Sequence, residues 1–386
     1  MKVLFVNEYT LRPGGVDKIV DMEIAALQEK NCDVELFPVY HNKLITANGN
    51  INYTGILKTY LLTRGKLQNS IDRFKPDIVH FHNIYPLLGS PIWKNLRKGS
   101  SKFILHIHNY YPFCINSFFF RLNNICTLCQ EGNSLKYGII NKCYNHSLPY
   151  SIAASFTKVK PVQWVNLTKI IDHFIGVSNF ICQKYVEFGI ESEKISTVYN
   201  FIKRIGTAEQ IKGEYILYLG DVVDAKGIEI ICEDALRLPL MNFVIAGDGR
   251  DFHKYISSYR NAGNLTFTGY VEGEEKSRLI SNCRFVLLPY LSWESFGIVI
   301  LEAYNYGKPV LTSGMGGSSE LVVDGKTGII LENLNYDFVC QKINEFWKLL
   351  ESNNSYFYDC LQLSRKYDIE NHRQKLLDIY RKISVD

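Results

Sequence analysis

The chain has no long apolar run. Its opening, "MKVLFVNEYTLRPGG", stays apolar for only four residues before Asn7 and Glu8 interrupt it. A spanning helix needs roughly 20 apolar residues, so the opening reads as a first buried strand rather than a membrane span or secretory leader. No later stretch approaches that length. Internal repeats at solenoid periods and low-complexity segments are also lacking, which excludes stacked-repeat and disordered classes. Without a leader, the ten cysteines are expected in a reducing compartment as thiols, metal ligands or redox groups. Acidic residues are scarce in one region. Residues 58 to 171 hold three Asp or Glu against fifteen Lys or Arg, a balance of +12 that leaves −8 for the rest of a chain totalling +4.

What is present is ordinary globular material, 46% hydrophobic and 21% charged, over 386 residues. That length suits two domains, each with its own core. Short apolar runs ("KVLFV", "DVELFPV", "DIVHFH", "FILHIH", "DHFIGV") alternate with segments of helical spacing. The alternation resumes in "EYILYLG", "NFVIAGDG", "LTFTG", "CRFVLLPY" and "PVLTS". Strand alternating with helix predicts parallel sheets covered on both faces, and this many strands predicts two doubly wound domains. Periodicity lapses at "VYNFIKRIGTAEQIKGEY", which sets the expected division into 1–202 and 203–365, with residues 366–386 as an amphipathic final helix.

The stretch "SWESFGIVILEAYNYGKP", residues 292 to 309, carries two acids, Glu294 and Glu302, around an apolar helix pattern closed by Gly307 and Pro309. It follows the strand pattern "CRFVLLPY", so the loop lies at a strand's carboxyl end, where open α/β sheets bind ligands and helix starts favour anions. Gly297 permits close backbone approach by a phosphate. Neither acid can favour that phosphate. An acid, a glycine at a helix start and a second acid therefore suit a sugar, a diphosphate and a ribose in series, the parts of a nucleotide sugar. The plainer reading leaves Glu302 pointing to solvent.

"ESFGIVILE" resembles the E-x7-E motif of the family 4 glycosyltransferases. So do "RPGG", "LYLGDVVDAKG", "VIAGDG", "TFTGYV" and "PVLTSGMGGSSELVVDGKTGIIL", in the family's order over most of the chain. The resemblance implies an α/β GT-B fold, in which two doubly wound Rossmann-like domains face a cleft and a C-terminal helix crosses back to the first. It implies retaining transfer from a nucleoside-diphosphate sugar, UDP- or GDP-linked, without a catalytic metal. Glu294 would contact the transferred sugar and Glu302 the ribose. Gly14, Gly15, Lys226, Phe296, Gly297 and Ile298 would meet the diphosphate. One departure stands out. Where the family usually has arginine, this chain has Asp221, which cannot offer a guanidinium's fork of donors. That departure keeps an idle nucleotide-sugar binder in view, and a nucleotide-sugar epimerase on the same fold is the nearest alternative among enzymes.

Histidines pair along two strand patterns, His80 with His82 and His106 with His108. His80 and His106 read as hydrogen-bonded within the sheet, whereas the resemblance puts His108 near the donor sugar, as a preorganised donor. Cys114, Cys126, Cys129 and Cys143 crowd a region of about 110–150 that lacks clear periodicity and is expected as an insertion in the first domain. With His146 as an alternative ligand, their spacing fits a structural zinc knot or simple thiols. The basic balance of residues 58 to 171, interleaved with aromatics, points to an anionic membrane surface or a solvated face. No recognition helix or RNA-binding signature supports nucleic acid. The expected acceptor is a lipid-linked or other saccharide in surface polysaccharide synthesis. The expected place is the cytoplasm, peripheral at the inner face of the plasma membrane, with Leu61, Leu62, Phe118, Phe119, Phe120 and Trp164 inserting shallowly.

Overall fold

The computed structural model describes residues 1–9, 14–40, 53–84, 92, 96, 99–111, 113–132, 134–157, 167–206 and 208–385. In chain order the strands are β1 (Lys2–Tyr9), β2 (Asp33–Tyr40), β3 (Ile78–Phe81), β4 (Lys102–Ile107), β5 (Phe120–Arg121), β6 (Asn124–Ile125), β7 (His173–Gly176) and β8 (Ile195–Thr197). They continue with β9 (Tyr215–Leu219), β10 (Asn242–Ala246), β11 (Leu265–Gly269), β12 (Cys283–Leu288), β13 (Val310–Thr312) and β14 (Gly328–Ile330). The chain forms two compact units. Unit 1 comprises residues 1–117, 127–200 and 369–386, and unit 2 comprises 118–126 and 201–368.

Unit 1 is built on a six-stranded sheet of order β2-β1-β3-β4-β7-β8, every pairing parallel. A parallel sheet covered on both faces needs strands apolar throughout, and β3 is buried along its whole length. Helix Gly15–Gln28 turns Ile19, Val20, Ala26 and Leu27 inward. Helix Ile369–Val385 adds Leu376, Leu377, Tyr380 and Ile383 to the cluster formed by Val3, Phe5, Val20, Leu27, Ile78, Ile104, Ile175 and Val198. Each such side chain contributes about 1.5–3 kcal/mol on burial, enough to hold a terminal helix in place.

Unit 2 carries the second six-stranded parallel sheet, β11-β10-β9-β12-β13-β14, the strand order of dinucleotide-binding folds. Its switch point lies between β9 and β12, and the loops after these two strands carry Lys226 and Glu294.

The region about 110–150 does not belong to one unit. The antiparallel hairpin β5–β6 goes with unit 2, where Phe120 packs with Val223 and Ala225, and Phe118 and Leu291 flank them. The physical reason is apolar area, since this short hairpin buries its aromatic side chains against unit 2. Phe119 is 1% and Phe120 7% exposed, so neither is a membrane-inserting side chain. The side chains of Leu61, Leu62 and Trp164 lie outside the described residues.

Candidate functional site

Unit 2 positions its site from three loops. β12 is buried throughout and runs to the loop bearing Glu294, after which helix Ile298–Asn305 begins. Gly297, at the start of that helix, has φ +93°, a left-handed conformation that strains any side chain. The Ile300 N–H donates to the Gly297 carbonyl at 2.9 Å, and a helix start leaves the N–H groups before it without an intrahelical partner. Ile298 opens the helix, and Phe296 is 2% exposed, so what Phe296 can offer a ligand is its backbone.

Glu294 is locked by its own main chain. Its N–H donates to the Met315 carbonyl at 3.1 Å, and its carbonyl accepts from Gly317 N–H at 2.7 Å. Gly316 lies against this rung with φ +75°, and a Cβ there would stand 2.4 Å from the Glu294 carbonyl oxygen. Only glycine fits.

Each acid has a lysine. The Lys226 ammonium donates to Glu294 Oε2, with the two side chains 16% and 14% exposed, and it lies 4.8 Å from the centre of the Tyr290 ring. Lys276, on helix Gly273–Asn282, donates to Glu302 Oε1 at 2.6 Å. The other carboxylate oxygen, Glu302 Oε2, is buried without a hydrogen-bond partner. An acid left half satisfied beside a helix start is an acceptor waiting for a donor group.

Asp221 stands beside this pair. Its residue is exposed, yet the surrounding protein mass still desolvates the carboxyl and pushes its pKa up. Lys226 opposes that push, while Glu294 and Asp248 add to it. Gly14 and Gly15 begin helix Gly15–Gln28 in unit 1. Both are exposed, and the Asp17 carboxylate accepts the Gly14 N–H at 3.0 Å, so an acid already caps that helix start.

In unit 1, His108 follows β4 and lines a small pocket with His82, Asn83, Asn109 and Tyr185. Its Nε2 is 3.1 Å from His82 Nδ1, and its Nδ1 is buried without a partner. Burial, helped by the charge of His372, lowers its pKa to about 3, so the ring is neutral at physiological pH. His80 and His106 were expected to be satisfied within the sheet. His80 bonds the Tyr380 hydroxyl at 2.6 Å but leaves Nε2 without a partner, and both His106 nitrogens lack one.

Among the described residues the cysteines do not bring three ligand atoms within 4.8 Å of one another, and the Cys114 thiol donates to Asn116 Oδ1 at 2.9 Å. Among the described residues, the group of three or more His, Cys, Asp or Glu whose ligand atoms lie within 4.8 Å of one another is His80, His82 and His106. The cysteine set as it stands does not fit a zinc ion.

Two family models match the sequence, "Glycosyltransferase Family 4" over residues 13–204 and "Glycosyl transferases group 1" over residues 202–356. The chain belongs to glycosyltransferase family 4. An uncharacterized 42.6 kDa protein in the cps region of Klebsiella pneumoniae is 24% identical over 83% of this family 4 chain and 87% of its own length. The alpha-D-kanosaminyltransferase of Streptomyces kanamyceticus is 29% identical, and the O-antigen chain mannosyltransferase C of Escherichia coli 25% identical, each over 44% of this chain and 46% of the relative. Of solved structures, Anabaena Alr3699/HepE in complex with UDP-glucose superposes with TM-score 0.69 at 16% identity, covering 99% of this chain and 100% of that one. Sucrose-phosphate synthase from Thermosynechococcus elongatus superposes with TM-score 0.73 at 13% identity, covering 99% and 98%. These likenesses show the fold, two parallel-sheet Rossmann-like domains of the GT-B type.

Three features of this family 4 chain escaped the sequence reading. Lys276 pairs with Glu302 across 26 positions, and no local pattern announces it. Gly316 lay inside a quoted motif, but its contact with Glu294 is tertiary. Glu23, with 0% of its side chain exposed, meets the histidines of unit 1. An acid on the apolar stripe of an amphipathic helix was its one available signal.

Proposed function

We propose that this chain is a retaining glycosyltransferase that moves a sugar from a nucleoside-diphosphate sugar, held by unit 2, to an acceptor hydroxyl. The observation that carries the reading is the arrangement along one helix. Glu294 and its lysine precede the left-handed Gly297, and Glu302 presents a buried, unpartnered oxygen a turn further on. The helix N–H groups and Lys226 would take the diphosphate. Glu302 Oε2 would accept a ribose hydroxyl, and Glu294, released from Lys226 as phosphate arrives, would face the sugar. Charge on the departing diphosphate would be met by preorganised donors, which need no reorganisation during reaction. His108, neutral and facing a pocket in unit 1, would hydrogen-bond a sugar hydroxyl. UDP-glucose in the Anabaena complex supports a nucleotide sugar as the donor class.

The deciding experiment is a thermal-shift screen of UDP-, GDP- and ADP-sugars, followed by donor hydrolysis without acceptor. Stabilisation by a nucleotide sugar together with slow hydrolysis is the expected result. Stabilisation without hydrolysis or transfer would favour the second reading, an idle binder, which Asp221 at the diphosphate position keeps specific. No stabilisation by any of them would overturn both.

The acceptor is proposed to be a lipid-linked saccharide in surface polysaccharide synthesis, reached from an anionic membrane face by the basic balance of residues 58 to 171. The cps-region and O-antigen relatives support that class. Among the described residues no helix is long and apolar enough to cross a membrane. Co-sedimentation with anionic but not neutral vesicles, falling as salt rises, is the expected outcome. Equal or absent binding under all conditions would point to a soluble acceptor.

A further inference from the structure

Unit 1 contains a sealed polar cluster that sugar transfer does not require. Glu23 reaches it from helix Gly15–Gln28, His80 from β3, His82 from the residue after β3, His106 from β4, and His372 and Tyr380 from helix Ile369–Val385. The side chains of Glu23, His82 and His106 are 0% exposed. His80, His82 and His106 each present one ring nitrogen within 4.8 Å of the others. Glu23 Oε2 stands 3.2 Å from His82 Nε2, and Glu23 Oε1 stands 3.9 Å from His106 Nδ1.

His80 and His82 each have one ring nitrogen held and the other free of a hydrogen bond. His80 Nδ1 bonds the Tyr380 hydroxyl at 2.6 Å, and His82 Nδ1 bonds His108 Nε2 at 3.1 Å. His372 bridges the Tyr199 carbonyl and Glu23 Oε1, both at 2.7 Å. Yet Glu23 Oε2, His80 Nε2, His82 Nε2 and both nitrogens of His106 are buried with no hydrogen-bond partner. Unmet groups of this kind are costly and few in native proteins, so a set converging on one point calls for a common partner. Metal-ligating histidines have this character, with the far nitrogen fixed by a second group and the near one aimed at the ion.

We infer that His80, His82 and His106, with Glu23 as the fourth ligand, form a closed structural site for a divalent first-row cation of the zinc type. A tetrahedron built on a zinc–nitrogen bond of about 2.0 Å separates its ligand atoms by about 3.3 Å. The 3.2 Å pair already matches that spacing, and the other ligand atoms, within 4.8 Å of one another, would close in as the tilted and stacked rings turn about the ion. Imidazole-rich sets favour zinc, cobalt and nickel over calcium or magnesium, which take oxygen ligands. Through Tyr380 and His372, the ion would tie the C-terminal helix to β3, β4 and helix Gly15–Gln28 within unit 1.

The test uses the full-length chain, purified without chelators, stripped and then titrated with cobalt(II). One equivalent should give tetrahedral ligand-field bands without thiolate-to-cobalt charge transfer, displaced by zinc, and zinc should raise the melting temperature. Replacing Cys126, Cys129 and Cys143 with serine should leave the spectrum unchanged, whereas His106→Gln should abolish it. Tyr380→Phe, which frees His80 Nδ1, should weaken cobalt binding roughly ten- to hundredfold. Because the wild-type titration needs no variant, an unfolded His106→Gln does not blunt the test. The inference fails if the wild type shows no spectrum and no zinc-dependent shift. It fails equally if the bands carry thiolate character and vanish with the cysteines. Failure here leaves the nucleotide-sugar screen on unit 2 unaffected.

Discussion

Unit 1 and unit 2 are each built on their own parallel sheet with candidate side chains at or near strand ends, yet they treat an acid in opposite ways. In unit 1, Glu23 is sealed among imidazoles, with one oxygen and several ring nitrogens unmet. In unit 2, Glu294 and Glu302 each hold a lysine while 14% and 27% of the side chain stays open to water. A sealed polar group must be satisfied by the fold or by something bound within it, because the low dielectric makes every orphan costly. A partly open ion pair costs little to separate, so a ligand can take either partner. The contrast fits the proposal that groups in unit 2 exchange partners when a ligand binds. Unit 1 is the place where they are fixed.

Substitutions should split along that line. Glu23→Ala removes the carboxylate that His372 bonds within a sealed polar cluster and should lower stability by about 1–3 kcal/mol, read as a fall in the urea midpoint. A loss below about 1 kcal/mol would mean the cluster is not sealed in solution. Glu294→Gln should do the reverse, leaving the urea midpoint nearly unchanged while turnover falls roughly 10²–10³-fold and nucleotide affinity stays within a few-fold. Calorimetry with free nucleoside diphosphate beside a transfer assay separates these effects, and an equal loss in both would remove the sugar-contact role.

A smaller effect is expected at Gly316→Ala, where φ +75° and the close Glu294 carbonyl strain any Cβ. The cost should be about 1–3 kcal/mol, with turnover impaired because the rung that holds Glu294 shifts. A melting curve matching wild type would sink this account. The smallest concerns Glu302→Ala. Loss of a hydrogen bond from a ribose hydroxyl to a carboxylate should weaken nucleotide binding roughly tenfold, about 1.4 kcal/mol, and leave stability almost unaltered. Unchanged affinity would return Glu302 to the solvent-facing role that its sequence position also allows.

The site of unit 2 was largely legible because its signals are local. Glu294, Gly297, Ile298 and Glu302 fall within one strand–loop–helix unit, whose geometry follows from helix repeat and glycine conformation. The cysteine spacing left a zinc knot and simple thiols both open, because ligand grammar counts residues along the chain whereas a metal needs sulfur atoms at one point. Among the described residues no three of these cysteines place their sulfurs within 4.8 Å of one another. Phe119 and Phe120 read as insertion candidates for a related reason. An aromatic run on a basic stretch looks the same whether its rings face a membrane or another part of the chain.

The alternation of apolar strands with helical segments determined two doubly wound sheets, because period and strand length depend only on neighbouring residues. The ordered glycine and acid motifs likewise marked the loops proposed to carry the chemistry. Only the tertiary structure decided which distant groups meet. Lys276 found Glu302, Gly316 found Glu294, and Glu23 from the first helix met His372 from the last, 349 positions away. Such meetings follow from how helices settle on a sheet to bury their apolar faces, a global condition that no window of sequence contains. For the same reason, the sealing of the histidine cluster became visible only once helix Ile369–Val385 lay over unit 1.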